Sequence, residues 1–363
     1  MAANIEVRNG VASFAENAKK EIAWHGLGQR VFEPMFVADA LKLSHADYNV
    51  ALQPVVALTP ELIDKMSNGE MINPDELLSL VIEGSKATMR TDYNETLGLV
   101  SDKYGIVQNS DAFKFVDLFC SGMDAERDNT PVIETCGVLG KGERVFVTAK
   151  FPKSIVLDAK RDDLVDMYMT FTTSHDGTGA VRAMVTPIRV VCNNTLNLAM
   201  HNNIGRVSFR HTANVMNRMD LLNKENAQFA YKALNVYEVY QTELEQRLNH
   251  LKNIKVSEKE LDNILAQVLL PEDSVKVFNE QGIFAEDIST KSRNVFLNVK
   301  QSMESGIGQD ILESGTALWA LNGLTTYYQN VANFKNEEAK FDSLTDGTAY
   351  NRVNKAYSLL TAV

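Results

Sequence analysis

The spacing of apolar residues divides the chain into a strand-rich first part and a helix-rich second part. Over residues 165–171 every second residue is apolar, which is typical of a half-buried β-strand. Over residues 221–252 apolar residues recur at steps of three or four, which predicts one long helix with a single apolar face. We therefore predict an α+β protein with a core domain over 1–220 and a helical C-terminal region over 221–363.

Turn and cap residues refine this outline. His175-Asp176-Gly177-Thr178-Gly179 predicts a hairpin turn, because its glycines accept positive φ. Thr59-Pro60 and Asn109-Ser110 have the residue types that begin helices, whereas the polar residues 67–76 indicate a loop. Further helices are predicted at Glu258–Leu269, Thr290–Ser305, 317–334 and 349–360. The expected architecture is an antiparallel sheet core with flanking helices, followed by helices alone.

Composition narrows the class of protein. With 363 residues and 45% hydrophobic residues, the chain is ordinary for a globular protein. No stretch approaches the roughly 18 apolar residues of a membrane helix, and the N-terminus has no signal-peptide pattern. Three widely spaced cysteines suit a reducing compartment. We expect a cytoplasmic protein that does not associate with membranes.

Charge is distributed unevenly along the chain. The net charge is −11, yet residues 177–219 contain no Asp or Glu and five arginines. That segment therefore carries +5 and the rest of the chain −16. Its basic residues are Arg182, Arg189, Arg206, Arg210 and Arg218, with His201 and His211 beside them.

This basic segment is the main candidate for binding. Arginines near strand ends and helix starts bind phosphates through paired N–H donors, and neighbouring aromatic rings such as Phe209 and Tyr168 can stack on unpaired bases. Alternatively, the arginines pair with the acidic remainder of the chain, within the fold or between subunits. Asn193 and Asn194 either contact sugar or base edges or cap a helix that begins at Leu196. The predicted nucleic-acid-binding residues are Arg182, Arg189, Asn193, Asn194, Arg206, Arg210, His211 and Arg218.

A second motif, Trp24-His25-Gly26-Leu27-Gly28, has no assigned role. Its glycines indicate a tight turn. His25 could act as a base or ligand, or Trp24 could pack into the core while His25 makes a structural hydrogen bond. Trp24, His25, Gly26 and Gly28 are therefore kept as a motif of unknown role.

Catalytic and metal-binding patterns are weak. The chain has neither HExxH nor CxxC, and His201 and His211 are too far apart for a helical ligand pair. We predict no metal, no cofactor and no enzymatic activity. A nuclease or other hydrolase that uses His25, His175 or His211 is the weaker alternative.

Several segments resemble one known family in the order expected for it. They are KKEIAWHGLGQ and residues 102–117, 186–200, 209–219 and 315–330. These segments are similar to those of the phage- and plasmid-encoded "phage/plasmid-like" proteins, domain of unknown function 932. The resemblance implies a mobile-element origin and a cytosolic setting in a bacterial host, but no catalytic mechanism.

The order of predicted elements also resembles the core of single-strand annealing proteins of the RecT and Erf kind. We therefore expect a nucleic-acid-binding protein, with single-stranded DNA as its partner, that serves annealing, recombination or replication. The long helix over 221–252 favours a homo-oligomer, although its apolar face could equally belong to the core. The alternative function is an acidic interaction protein, an anti-defence or assembly factor, without affinity for nucleic acid.

Overall fold

The computed structural model describes residues 5–17, 27–120, 131–158, 160–189, 194–195, 206–215, 224–335, 337–345 and 347–363. It confirms the predicted α+β class, with antiparallel sheets and a helical C-terminal region. The chain divides into two compact units. The first comprises Met1–Ala149, Thr170–Met184 and Val207–Tyr231, and the second comprises Lys150–Met169, Val185–Arg206 and Lys232–Val363.

Short strands open the first unit. A small hairpin, β1 (Val7–Arg8) and β2 (Val11–Ala12), precedes β3 (Phe14–Asn17). The next elements are β4 (Gln29–Val31) and helix α1 (Val37–Leu43). Strand β3 pairs in parallel with β4.

A separate three-stranded sheet follows, formed by β5 (Val50–Val56), β6 (Val81–Arg90) and β7 (Glu95–Ser101). Between β5 and β6 lie helices α2 (Pro60–Ser67) and α3 (Pro74–Ser79). Thr59 caps α2 as predicted, because its side chain accepts a hydrogen bond from the Leu62 N–H. The loop predicted over 67–76 is wrong in its last residues, since Asn73 caps a second helix that begins at Pro74.

The large sheet combines the strands of the basic segment with strands that precede them in the chain. Its main members are β8 (Val132–Leu139), β9 (Arg144–Lys150), β11 (Asp163–Ser174) and β12 (Val181–Arg189), and helix α4 (Asn109–Cys120) precedes them. Its shorter members include β10 (Ile155–Asp158), β13 (Asn194–Thr195) and β14 (Arg206–Phe209). Among the described residues its strand order is β13-β12-β11-β9-β8-β3-β4, with β10 beside β11 and β14 beside β12.

The alternating pattern of these strands produces the core that sequence predicted. In β9, Val145, Val147 and Ala149 are fully buried. Burial of a side chain such as valine contributes about 1.5–3 kcal/mol. The predicted hairpin between β11 and β12 is present, and Gly177 adopts φ +82° in its turn.

The second unit is mainly helical. The predicted helix over Glu258–Leu269 is confirmed, and Ser257 and Glu260 form a capping box at its start. Predicted 317–334 is helical only to Thr326 and continues as a π-helical turn, Tyr327–Val331. The helices are α5 (Lys224–Asn253), α6 (Glu258–Leu269), α7 (Glu272–Gln281), α8 (Thr290–Ser305), α9 (Ala317–Thr326), α10 (Glu337–Thr345) and α11 (Thr348–Leu360).

Helices α7 and α10 were not predicted from sequence. Helix α7 has no fully buried residue, although its Phe278 packs against Phe296 of α8 with 5.4 Å between the ring centroids. Within the described ranges, none of the helices combines the length and the apolar composition that crossing a lipid bilayer requires.

Candidate nucleic-acid interface

The strands of the basic segment are hydrogen-bonded neighbours. Strands β13 and β14 each pair with β12. In the antiparallel pairing of β12 with β13, Arg189 stands opposite Asn194 and Ile188 opposite Thr195. Four predicted binding residues, Arg182, Arg189, Asn194 and Arg206, therefore belong to three paired strands.

The remaining predicted binding residues have different positions. Arg210 follows β14 and is exposed, whereas His211 is buried. Arg182 is half-buried. Asn193 and Arg218 lie outside the described residues, as does the helix predicted to begin at Leu196. Among the arginines of this segment whose side chains the structure describes, Arg210 is the exposed one.

His211 attaches the segment after β14 to the loop that precedes α4. Its Nδ1 lies 3.2 Å from the carbonyl oxygen of Gly105, and the Gly105 N–H donates to the His211 carbonyl at 3.4 Å. Its ring is stacked on the ring of Tyr104, with 4.9 Å between centroids and 10° between planes. Two segments of the family-like pattern, 102–117 and 209–219, are thereby joined.

Gly105 is required for this close approach. A Cβ at Gly105 would lie 2.2 Å from the carbonyl oxygen of Thr212, which is closer than real Cβ contacts allow. The backbone of Thr212 therefore leaves no room for a side chain at position 105. The Thr212 N–H in turn donates to the Arg210 carbonyl at 2.9 Å, so the chain turns tightly behind Arg210.

A second buried histidine lies in the hairpin turn. His175 Nε2 is 2.7 Å from Asn109 Oδ1. Since the Asn109 amide nitrogen donates to the Ala46 carbonyl, its oxygen faces the ring, and His175 Nε2 must carry the proton. His175 Nδ1 is buried without a hydrogen bond. The backbone is fixed as well, because the Thr88 hydroxyl donates to the His175 carbonyl at 2.6 Å.

Tyr104 links the two histidine sites. Its hydroxyl donates to the carbonyl oxygen of Ser174 at 3.0 Å, one residue before His175. Burial raises the pKa of Tyr104 above its usual range. The phenol therefore stays protonated and keeps its role as a donor.

Burial also determines the protonation of both histidines. Desolvation, with the nearby His211 as a smaller cause, lowers the pKa of His175 to about 3. Desolvation likewise lowers the pKa of His211, although its hydrogen bond to Gly105 acts in the opposite direction. Both rings are neutral near pH 7, and His175 has no exposed surface through which to meet a substrate. In this arrangement they hold the backbone in place.

A buried arginine forms a further cluster that sequence did not indicate. Arg90 is only 1% exposed, and its guanidinium lies 2.7 Å from a Glu6 carboxylate oxygen and 2.8 Å from an Asp92 oxygen. The guanidinium carbon lies 3.9 Å from the ring centroid of Tyr48. Arg90 and Glu6 are 84 residues apart, so no local spacing could have paired them.

One glycine of the Trp24 motif has a structural explanation. Gly28 adopts φ +89°, and a Cβ there would lie 2.2 Å from the carbonyl oxygen of Phe14. The parallel pairing of β3 with β4 brings these two backbones together. Trp24, His25 and Gly26 lie outside the described residues. Within the part of the chain that the structure describes, no three His, Cys, Asp or Glu side chains are grouped as metal ligands would be.

Comparison with known proteins identifies the family. A family model described as "Domain of unknown function (DUF932)" matches residues 96–346, more than half of the chain. The matched range contains Tyr104, Asn109, His175 and His211, and so the contacts that support Arg210. Searches of curated proteins and of solved structures found no significant match. The chain therefore belongs to the DUF932 family of domains of unknown function.

Proposed function

We propose that this protein binds nucleic acid, preferably single-stranded DNA, through the segment that contains β12, β13 and β14. The proposal includes a role in annealing, recombination or replication for a phage or plasmid, as the sequence resemblance implies. The observation that carries it is the exposed Arg210, whose neighbour in sequence, His211, is buried and stacks on the half-buried Tyr104.

Electrostatics supports this surface. Residues 177–219 carry five arginines and no carboxylate in a chain whose net charge is −11. A region of one sign attracts phosphates even when the whole protein has the opposite charge, because screening limits the reach of distant carboxylates to about 10 Å. Arginine is suited to this role because its guanidinium donates two parallel hydrogen bonds to a phosphate.

Preorganisation supports it as well. The turn behind Arg210 is held by the Gly105 contacts of His211 and by Val215, which is buried and donates its N–H to the Thr212 carbonyl at 2.8 Å. A phosphate that binds Arg210 therefore orders less backbone than it would on a free loop. Phe209 is half-buried beside it and offers ring surface on which an unpaired base can stack.

The test is fluorescence anisotropy with labelled single-stranded DNA, double-stranded DNA and RNA, titrated with salt. The Arg189→Ala/Arg210→Ala double variant should bind single-stranded DNA at least tenfold more weakly, with a shallower salt dependence, because fewer counterions are released. Lys276→Ala/Lys291→Ala removes two exposed positive charges from the helical unit and serves as the matched control. Equal affinity and equal salt slope for the two double variants would contradict the proposal.

A second candidate function is an acidic interaction protein that binds a host protein and not nucleic acid. Outside residues 177–219 the chain carries a net charge of −16, which favours basic partners. Under this alternative, the wild-type protein shows no salt-sensitive binding to any of the three nucleic acids. A purified host protein that binds it in a fixed ratio would then support the alternative.

A further inference from the structure

The three-stranded sheet carries an exposed extension, residues 57–83, here named the acidic arm. It contains α2 and α3, and Leu62 is the residue of the arm that is buried. Six large apolar side chains elsewhere on the arm are exposed by 45% to 98%. They are Leu58, Ile63, Met66, Met71, Leu78 and Ile82. So many exposed apolar groups within one short segment indicate a contact surface.

The arm is an ordered surface and not a frayed loop. Lys65 of α2 makes a salt bridge of 2.8 Å with Glu76 of α3. The Ala57 N–H donates to the Leu80 carbonyl at 3.0 Å, which joins the two ends of the arm. Its apolar groups are therefore held outward by a defined backbone.

Charge restricts what can cover this surface. The arm contains six carboxylates and one lysine, and that lysine is already paired with Glu76. An apolar surface among carboxylates favours a partner that is basic and partly apolar, and it disfavours DNA, RNA and anionic lipid.

The chain itself contains such a partner. Residues 177–219 carry +5 and the arm carries −5, and the exposed Arg210 lies beside the half-buried Phe209. Arg210 and the arm both belong to the first unit, and both are exposed there. The arm and the exposed Arg210 are different surfaces of opposite charge, and two such surfaces that bind each other join copies of a chain head to tail.

We propose that the acidic arm of one copy docks on the basic segment of a second copy around Arg210. Because the contact joins two different surfaces, it repeats and produces a ring or a filament. This assembly does not depend on the proposed nucleic-acid binding. It uses the same arginine, however, so a bound oligonucleotide competes with the arm.

The test is sedimentation velocity of the full chain without nucleic acid, over a range of protein and salt concentrations. We expect assembly to increase with protein concentration. Salt at about 0.5 M should weaken it, because salt screens the attraction between exposed charges. Asp64→Lys/Glu70→Lys should weaken assembly at least tenfold. Glu286→Lys/Asp287→Lys changes the net charge equally at exposed positions of the helical unit and should assemble like wild type.

Charge exchange makes the test specific. Arg210→Glu alone should likewise assemble at least tenfold more weakly than wild type. A mixture of Arg210→Glu with Asp64→Lys/Glu70→Lys should assemble. In the mixture the acidic arm of the first variant meets Arg210 of the second, and the lysines of the second variant's arm meet the new glutamate of the first. Met71→Ser should weaken assembly, whereas Phe284→Ser, at an exposed position outside the arm, should not. Circular dichroism establishes that each variant is folded.

Two results would overturn the proposal. One is a wild-type protein that stays monomeric at every concentration, and the other is assembly that the arm variants leave unchanged. Since nucleic acid is absent from these experiments, they are independent of the anisotropy test. A wild-type protein that assembles but does not bind DNA would reject the proposed function alone. A wild-type protein that binds DNA but does not assemble would reject the head-to-tail contact alone.

Discussion

The imidazole of His211 lies nearly parallel to the phenol ring of Tyr104, with 10° between the planes and 4.9 Å between the centroids. Gly105, next to Tyr104, exchanges hydrogen bonds with His211 across 106 residues of sequence. This stack connects the loop before α4 to the segment that contains Arg210. The backbone that carries the exposed Arg210 is therefore held, one residue later, by the buried His211.

A double-mutant cycle should measure the energy of this stack. Tyr104→Leu and His211→Leu are each expected to destabilise the fold, and their combined effect should differ from the sum by about 0.5–1.5 kcal/mol. Tyr104→Phe keeps the ring and loses only the hydrogen bond to Ser174, which contributes about 1 kcal/mol. Urea unfolding of wild type and the four variants gives the values. Strictly additive effects of Tyr104→Leu and His211→Leu would show that the rings do not interact.

Acid should destabilise the first unit through its buried histidines. The pKa of His175 is lowered in the folded protein to about 3, whereas an unfolded histidine titrates near 6.5. Below about pH 6.5 the unfolded chain therefore binds more protons, so the stability present above that pH decreases toward pH 3. The slope for His175 is about 1.4 kcal/mol per pH unit, and the lowered pKa of His211 acts in the same direction.

Urea unfolding at several pH values tests this expectation. The charged groups Asp176 and Arg90 act on His175 in opposite directions, so the comparison must be between variants. His175→Leu should have a shallower pH dependence between pH 6.5 and pH 4 than wild type. Val147→Ala, which destabilises the same unit without removing a titratable group, is the control and should retain the wild-type slope.

Arg90 should be among the costliest charged residues to replace, because its guanidinium is buried. Arg90→Met leaves the buried carboxylate of Glu6 without this partner and is expected to cost about 3–5 kcal/mol. Lys114→Ala removes an exposed ion pair with Asp111 in the same unit and should cost less than about 1 kcal/mol. Equal losses in the free energy of unfolding would mean that the Arg90 cluster is not coupled to the fold.

Alanine substitutions at Gly10 and Gly28 should separate the cost of a positive φ from the cost of a steric clash. Both have positive φ, but a Cβ at Gly10 meets nothing within 4 Å, whereas one at Gly28 collides with Phe14. Gly10→Ala should cost about 1–2 kcal/mol from φ alone. Gly28→Ala should cost clearly more, as measured by thermal unfolding. A similar loss for both variants would contradict the close pairing of β3 with β4.

Local patterns were sufficient to predict most elements. The alternation in β11 and the cap at Thr59 each depend on residues that are neighbours in sequence. Such patterns predicted the α+β class and the hairpin at His175 because backbone geometry repeats over two or four residues. Helix α7 was missed for a related reason, since its N-cap position holds Pro271, which provides no side-chain cap.

Only the tertiary structure decided which residues of the candidate site are exposed and which contacts they make. Sequence marked the basic segment by its missing carboxylates, but it could not distinguish exposed Arg210 from buried His211, one residue away. Nor could it show that Arg90 pairs with Glu6, or that Gly105 must be glycine for Thr212 to approach. Composition and periodicity are properties of short stretches of chain, whereas burial and ion pairing depend on segments that folding brings together from far apart.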